Sequence, residues 1–250
     1  MEERKKEEIK YYNKKADRSF SQDVRSETDF EGFTPKALSS YSYCYHLANK
    51  YCVSKKVLDY GCGNGVHSSF LNKVSKELIG IDLSKNSLEI AKKRAGEDVK
   101  FLVMDCEKMD FPNDSFDIVF DGGTFSSLDI NKALPEIKRV LKPGGYLIGI
   151  ETFGHNPIAN LKRKINVKRG KRTVWAASHI IKNKDLRLMK ELFTEEEVKF
   201  FHLISFIAIP LIGTKLHFLL KFLEAIDRIL LKVSFFEKYS FKVVFAFKND

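Results

Sequence analysis

Residues 57–65 read VLDYGCGNG, a short apolar run that ends in three glycines at alternate positions. Glycine is required where a chain turns sharply and brings its backbone close to a ligand, because no Cβ intrudes and positive φ is tolerated. A strand that feeds such a turn and then a helix opens a βαβ unit. That unit commits the chain to a parallel sheet covered by helices.

The alternation continues downstream. KKVLDYG predicts a strand, VHSSFLNKVS a helix and ELIGIDL a second strand. In SKNSLEIAKKRA, Ser84 supplies an N-cap and Leu88, Ile90 and Ala91 a buried face, and a third strand follows in VKFLVMD. SFDIVFD predicts a fourth strand. The stretch around NKALPEIKRVL predicts a helix stopped by Pro143 and Gly144, and GYLIGIE a fifth strand.

Ahead of these units, MEERKKEEIKYYNKKA and ALSSYSYCYHLANKYC have helical periodicity. Behind them, residues 153–190 are basic and irregular, an insertion after the fifth strand. Residues 215–232 predict an amphipathic helix, and YSFKVVFAFK a closing strand. There is no internal repeat or low-complexity linker. The expected organisation is a helical arm (1–54), a ligand-binding core (55–152), a basic cap insertion (153–193) and a completion of the sheet (194–250), in one domain.

The chain has 250 residues, 44% of them hydrophobic and 30% charged, which excludes extended disorder. The net charge of +10 invites a nucleic-acid or membrane hypothesis, but its distribution is uneven. Residues 153–190 hold eleven Lys/Arg against one acid, while the other segments are close to neutral. Cys44, Cys52, Cys62 and Cys106 form no C-x-x-C pair, so no zinc site or disulfide framework is expected, and a reducing, cytoplasmic setting fits.

The N-terminus is too charged for a signal peptide. The longest uncharged run, Phe200–Thr214, contains Pro210 and Gly213, so no transmembrane helix is expected. The apolar stretch FFHLISFIAIPLIGTKLHFLL leaves three roles open: buried core, a face lying on a membrane, or a hydrophobic acceptor tunnel.

A dinucleotide turn of the G-x-G-x-x-G type wants glycine at position 66, where Val66 stands, and this counts against NAD or FAD. Asp59, two residues before Gly61, suits a cationic ligand better than a pyrophosphate. Asp82 ends the second strand, where an acidic group accepts hydrogen bonds from ribose hydroxyls. Asp105 ends the third strand and could accept from an exocyclic amine.

The ordered set VLDYGCGNG, IGIDLS, VMDCEKMDFPNDSFDIVF and IKRVLKPGGYLIGIE resembles the class I S-adenosylmethionine-dependent methyltransferases, and most of all the small-molecule branch that includes quinone-biosynthesis enzymes. The resemblance covers about residues 55–152, with a weak echo in YYNKKA. It implies a doubly wound, Rossmann-like α/β fold: a seven-stranded sheet, mostly parallel, with an antiparallel closing strand. It also implies S-adenosyl-L-methionine as cofactor. Gly61 and Gly63 would pass the methionine part, Asp82 would bind the ribose, and Asp105 with Cys106 the adenine. Asp59 would orient the turn, and Cys62, Leu83, Asp121 and Tyr11 would complete the surroundings.

Methyl transfer from a sulfonium is a direct displacement that needs alignment and exclusion of water. A general base helps when the acceptor is a hydroxyl and matters less for an amine or an acidic carbon. The resemblance implies a histidine shortly after the fourth strand, but this chain has DGGTFSSLD there. His155 in ETFGHNP is the substitute, with His179 next and Tyr11 and Asp121 behind, whereas His67 reads as structural.

The run LKRKINVKRGKR at 161–172 could recognise an anionic acceptor, dock on an anionic membrane or RNA backbone, or be a solvated loop, with Trp175 stacking on an acceptor or anchoring the loop. The leading expectation is a methyltransferase acting on an O, N or C atom of a small acceptor. A tRNA methyltransferase and a non-catalytic partner subunit are the rivals.

Overall fold

The computed structural model describes residues 1–19 and 37–250. Expectations for the arm between residues 20 and 36 lie outside the described residues. Seven strands, β1 (Lys56–Tyr60), β2 (Glu77–Asp82), β3 (Lys100–Val103), β4 (Phe116–Asp121), β5 (Leu141–Thr152), β6 (Thr194–Phe201) and β7 (Lys242–Lys248), form one sheet in the order β3-β2-β1-β4-β5-β7-β6. β1 to β5 pair in parallel, and β7 runs antiparallel to both β5 and β6. The strand order reverses between β2, β1 and β4. A crevice therefore opens at the carboxyl ends of these strands, where open α/β sheets bind ligands.

Two apolar layers hold the sheet. On one face α2 (Ser39–Tyr51), α3 (Ser68–Leu71), α4 (Lys85–Ala95) and α9 (His217–Leu230) pack through residues such as Leu47, Leu71, Leu88 and Leu220. On the other, α5 (Ile130–Val140) and α8 (Asn183–Leu192) contribute Leu134, Ile137, Leu186 and Met189. The central strands β1 and β4 are buried on both sides, as expected of near-continuous apolar runs in a parallel sheet.

Several local expectations are corrected. The helix expected over 66–75 shrinks to the single turn of α3, and the Leu71 carbonyl is shared between the Ser75 backbone N–H and hydroxyl at 2.9 and 2.8 Å. α5 ends at Val140, before Pro143 and Gly144, and β5 begins at Leu141. Lys142 precedes a proline and is confined to extended conformations.

The segment after β5 is helical rather than irregular, with α6 (Pro157–Lys168), α7 (Val174–Ser178) and α8 in succession. Asn156 caps α6 by accepting from Ile158 and Ala159 N–H, ahead of Pro157, and Thr173 caps α7. The edge strand β6 has no counterpart in the sequence reading, since TEEEVKFF does not alternate and carries a bulge between Glu195 and Glu197. Charged side chains on an edge strand discourage further pairing. Among the described residues, no helix is long and apolar enough to cross a membrane.

Candidate functional site

The turn after β1 is built by its glycines. Gly61 has φ +65° and lies so close to Thr124 that an added Cβ would stand 2.3 Å from Thr124 Cγ2. Thr124 in turn donates to the carbonyls of Tyr60 and Gly61, both at 3.1 Å. At Gly63, φ +52°, an added Cβ would meet open space, so this backbone faces a void. The Gly63 N–H donates to Asp82 Oδ2 at 3.0 Å, and Ser84 N–H to Asp82 Oδ1 at 2.8 Å. Burial raises the Asp82 pKa while these N–H groups oppose the rise.

A cavity of about 110 Å³ lies against this turn. The core supplies Gly61, Gly63, Asp82, Leu83, Cys106 and Thr124 to its wall. Ser84, Ser127 and Leu128 add to it, and helix α1 (Glu3–Ser19) closes it through Lys5, Glu8, Ile9 and Tyr12. These four positions follow helical i, i+3, i+4, i+7 spacing, so one stripe of α1 faces the site. That spacing also explains a correction: the aromatic in the wall is Tyr12, while Tyr11 points away and donates to the Lys171 carbonyl at 2.6 Å. Lys5, Glu8, Ile9, Ser84, Thr124, Ser127 and Leu128 were likewise missed. For the α1 residues the signal was the stripe itself.

Lys5 ion-pairs with Asp105 at 2.5 Å and with Glu107 at 2.8 Å. Asp105 also accepts from the Glu107 N–H at 2.9 Å. The acidic group at the end of β3 is thus held by α1 rather than lining the cavity. Glu8 accepts from Thr173 Oγ1, and burial raises its pKa against its hydrogen bonds to Thr173 and Ser127. A nucleoside with a cationic amino-acid tail fits this donor and acceptor set. Asp82 offers acceptors at the end of β2, and Gly63 leaves room for close approach.

Asp59 does not line the cavity. It is buried, accepts from Ser68 Oγ at 2.5 Å and is pushed by burial to about 7, against the Ser68 hydrogen bond and with help from the Asp82 charge. It therefore braces the start of α3. Cys62 packs in the wall behind the turn, against β2, and burial pushes the thiols of both Cys62 and Cys106 well up.

Asp121 also stands behind the site. It accepts from the N–H groups of Gly123 and Thr124 at 3.2 and 2.8 Å. Its neighbour at the end of β5, Glu151, accepts from Phe125 N–H at 2.6 Å. Burial and the Glu151 charge push the Asp121 pKa well up, and burial raises that of Glu151. Lys242, at the start of β7, is buried beside this pair, which opposes a burial-driven fall of its pKa to about 8. Two buried carboxylates thereby hold the loop that presents Thr124, Ser127 and Leu128 to the cavity.

His155 stands outside the cavity lining. Its Nε2 accepts from the Asn183 N–H at 3.3 Å and its ring meets Phe153 edge-on at 5.5 Å, because capping by Asn156 turns the chain into α6 directly afterwards. Burial, with Lys182 and Lys238, lowers its pKa. His179 stacks on Trp175 at 3.6 Å, and the Arg4 guanidinium lies 4.7 Å from the Trp175 ring centroid, so the tryptophan ties the insertion to α1. His67 is buried against Tyr45, with its pKa lowered by burial to about 4.

Within the basic run, two cations are structural. Arg163 is buried and donates to the Phe153 carbonyl at 3.0 Å, and Arg172 donates to Ser126 Oγ at 3.0 Å.

Residues 58–149 match the family model described as a methyltransferase domain. Over 103 residues the chain is 40% identical to the demethylmenaquinone methyltransferase of Staphylococcus aureus, a match that covers 39% of this chain and 43% of that protein. The chain thus spans less than half the length of the curated relatives it matches. The N-methyltransferase NodS from Bradyrhizobium japonicum WM9, solved with S-adenosyl-L-homocysteine, superposes with a TM-score of 0.60 at 14% identity, covering 95% of this chain and 98% of that one. Geranyl diphosphate C-methyltransferase from Streptomyces coelicolor A3(2) gives 0.59 at 16% identity, over 84% of this chain and 79% of that one. The fold is the Rossmann-like one of class I methyltransferases, and the resemblance carried by the four sequence motifs agrees with it.

Proposed function

We propose that the chain is an S-adenosylmethionine-dependent methyltransferase acting on a small, amphiphilic acceptor. The observation that carries the reading is the joining of β1 to β2 by the Gly63 N–H bond to Asp82, beside a cavity walled by Gly61, Leu83 and Cys106. When bound, the cofactor supplies an electrophilic methyl group on a sulfonium. Asp82 would hold its ribose, and Gly61 and Gly63 would pass its amino-acid part.

The chain's own residues do the rest. Asp121 and Glu151 hold the loop at 122–128 in place through backbone N–H groups, so that Thr124 fixes the glycine turn. α1 covers the site and excludes water, which favours a displacement between aligned partners. His155 spends Nε2 on the Asn183 N–H, an arrangement that supports an acceptor needing no base from it, an amine or an acidic carbon. The part-identity to a demethylmenaquinone methyltransferase supports a quinone-like acceptor.

Calorimetry with S-adenosylhomocysteine, followed by a labelled-methyl screen of cell extract split into lipid, RNA, protein and polar pools, tests the proposal. Binding with label in the lipid pool is expected. Absence of binding would sink the cofactor reading, and label in the RNA pool would transfer the function to the tRNA class.

A further inference from the structure

Helix α9 wears its polarity inside out. Its inner side carries Leu220, Glu224 and Asp227, all buried. Glu224 accepts from Ser39 N–H at 2.9 Å and Lys221 Nζ at 3.1 Å, while Asp227 accepts from Ile204 and Ser205 N–H at 2.9 and 3.1 Å. Phe218, Phe222 and Ile229 fall on one stripe by helical spacing and are 62%, 61% and 68% exposed. Val233 and Phe235, the latter in the short helix α10 (Ser234–Glu237), extend the stripe at 52% and 59% exposure. A soluble protein seldom leaves such a contiguous run of aromatic and aliphatic side chains in water without a use for it.

The charges around the stripe say what covers it. Lys215, Lys221, Arg228 and Lys232 are all exposed. Between Glu197 and Glu237 the only acidic residues are Glu224 and Asp227, both turned inward. Among the described residues the outward face of α9 is therefore apolar and cationic, and Glu237, at the end of α10, is half-buried. A groove of about 810 Å³ opens beside it, where Lys199, Lys221, Arg228 and Lys232 stand beside the carboxylates of Glu224, Asp227 and Glu237.

The neighbouring α6 repeats the composition. Ile158, Leu161 and Ile165 are exposed among Lys162, Lys164 and Lys168, and no acid occurs from 152 to 184. It is tied to the end of the α9–α10 segment by the Asn156 side-chain N–H bond to the Tyr239 carbonyl at 2.8 Å, and Arg163 lies 5.8 Å from the Phe241 ring centroid.

We propose that the outer face of α9–α10, assisted by α6, docks on the surface of an anionic lipid bilayer. Phenylalanine and isoleucine side chains enter the boundary between headgroups and acyl chains, and lysine stems lie along the apolar stripe with their ammonium groups at the phosphates. The inference rests on this face and not on the proposed chemistry.

Flotation of the full chain with vesicles tests it. Binding is expected to vesicles of phosphatidylcholine containing about one third phosphatidylglycerol, with at least about tenfold weaker binding to phosphatidylcholine alone or in about 0.5 M salt. Phe218→Ser combined with Phe222→Ser should lower the vesicle affinity about tenfold while the thermal melt stays cooperative. Should that variant fail to fold, Lys215→Gln, Arg228→Gln and Lys232→Gln together should remove the preference for anionic vesicles. The proposal is overturned if anionic vesicles are not bound, if neutral ones bind equally, or if either folded variant binds like the parent. It is also overturned if light scattering shows a dimer that the phenylalanine variant splits, since the face would then belong to a second copy. Failure to bind S-adenosylhomocysteine would count against the proposed function alone.

Discussion

The Gly63 N–H donates to the Asp82 carboxylate across 3.0 Å, so the end of β2 holds the turn that follows β1. One side chain thereby shapes the turn and offers its remaining lone pairs to a ribose. A hydrogen bond to a charged group contributes about 1.5–3 kcal/mol, or roughly 10- to 100-fold in affinity. Asp82→Ala should weaken S-adenosylhomocysteine binding by at least that range in calorimetry, because it removes both roles. Asp82→Asn, which keeps one acceptor oxygen, should fall between.

Gly61 tests the turn without touching a charge. Its φ of +65° and the 2.3 Å approach that a Cβ would make to Thr124 both oppose a side chain. An alanine in the left-handed region costs about 1–2 kcal/mol before any clash. Gly61→Ala should therefore lower the melting temperature by roughly 2–8 °C and abolish detectable cofactor binding. An unchanged melt would show that the turn relaxes freely.

The parts of this site that were legible in the sequence are those fixed by local chemistry. The turn at Gly61 and Gly63, the strand-end Asp82 and the helix cap at Ser84 each follow from neighbouring residues. What was illegible depends on contacts between distant segments. Lys5 meets Asp105 across 100 positions, and β6 exists because β7 offers it an edge, in spite of three consecutive glutamates. His155 was the expected base because it follows β5 closely, but capping of α6 turned it toward Asn183. The exposed stripe of α9 was hidden for a related reason: an amphipathic pattern does not say which face turns inward, and here two buried carboxylates find backbone donors.

Asp59 gives a pH signature. Its carboxyl rises from the ordinary 3.8 to about 7 through burial, so between those values the folded protein keeps a proton that the unfolded chain has lost. The folded state binds more protons, and this group's contribution to stability falls as pH rises through the window, by at most about 1.4 kcal/mol per unit. Asp59→Asn keeps an acceptor for Ser68 and cannot ionise. Urea midpoints taken from pH 4 to pH 7 should show the parent losing stability relative to the variant. Parallel curves would mean that Asp59 ionises normally.

The last expectation concerns α1. A cavity of about 110 Å³ is smaller than the roughly 300–1,000 Å³ that buries a drug-sized ligand, and α1 supplies Lys5, Glu8, Ile9 and Tyr12 to its wall. A nucleoside cofactor therefore needs α1 to move outward. Among the contacts that resist the move are the Lys5 pairs with Asp105 and Glu107, the Arg4 pair with Glu107, the Tyr11 bond to the Lys171 carbonyl, the Ser84 Oγ bond to Asn13 at 2.7 Å and the Asn86 bond to Asp17 at 2.7 Å. Lys5 also occupies the carboxylate that an exocyclic amine would use. Lys5→Ala should thus tighten S-adenosylhomocysteine binding several-fold, since a state that is already partly open no longer reduces the apparent affinity. Hydrogen exchange in residues 3–17 should be faster in this variant before ligand is added. Weaker binding by Lys5→Ala would instead mean that Lys5 contacts the cofactor.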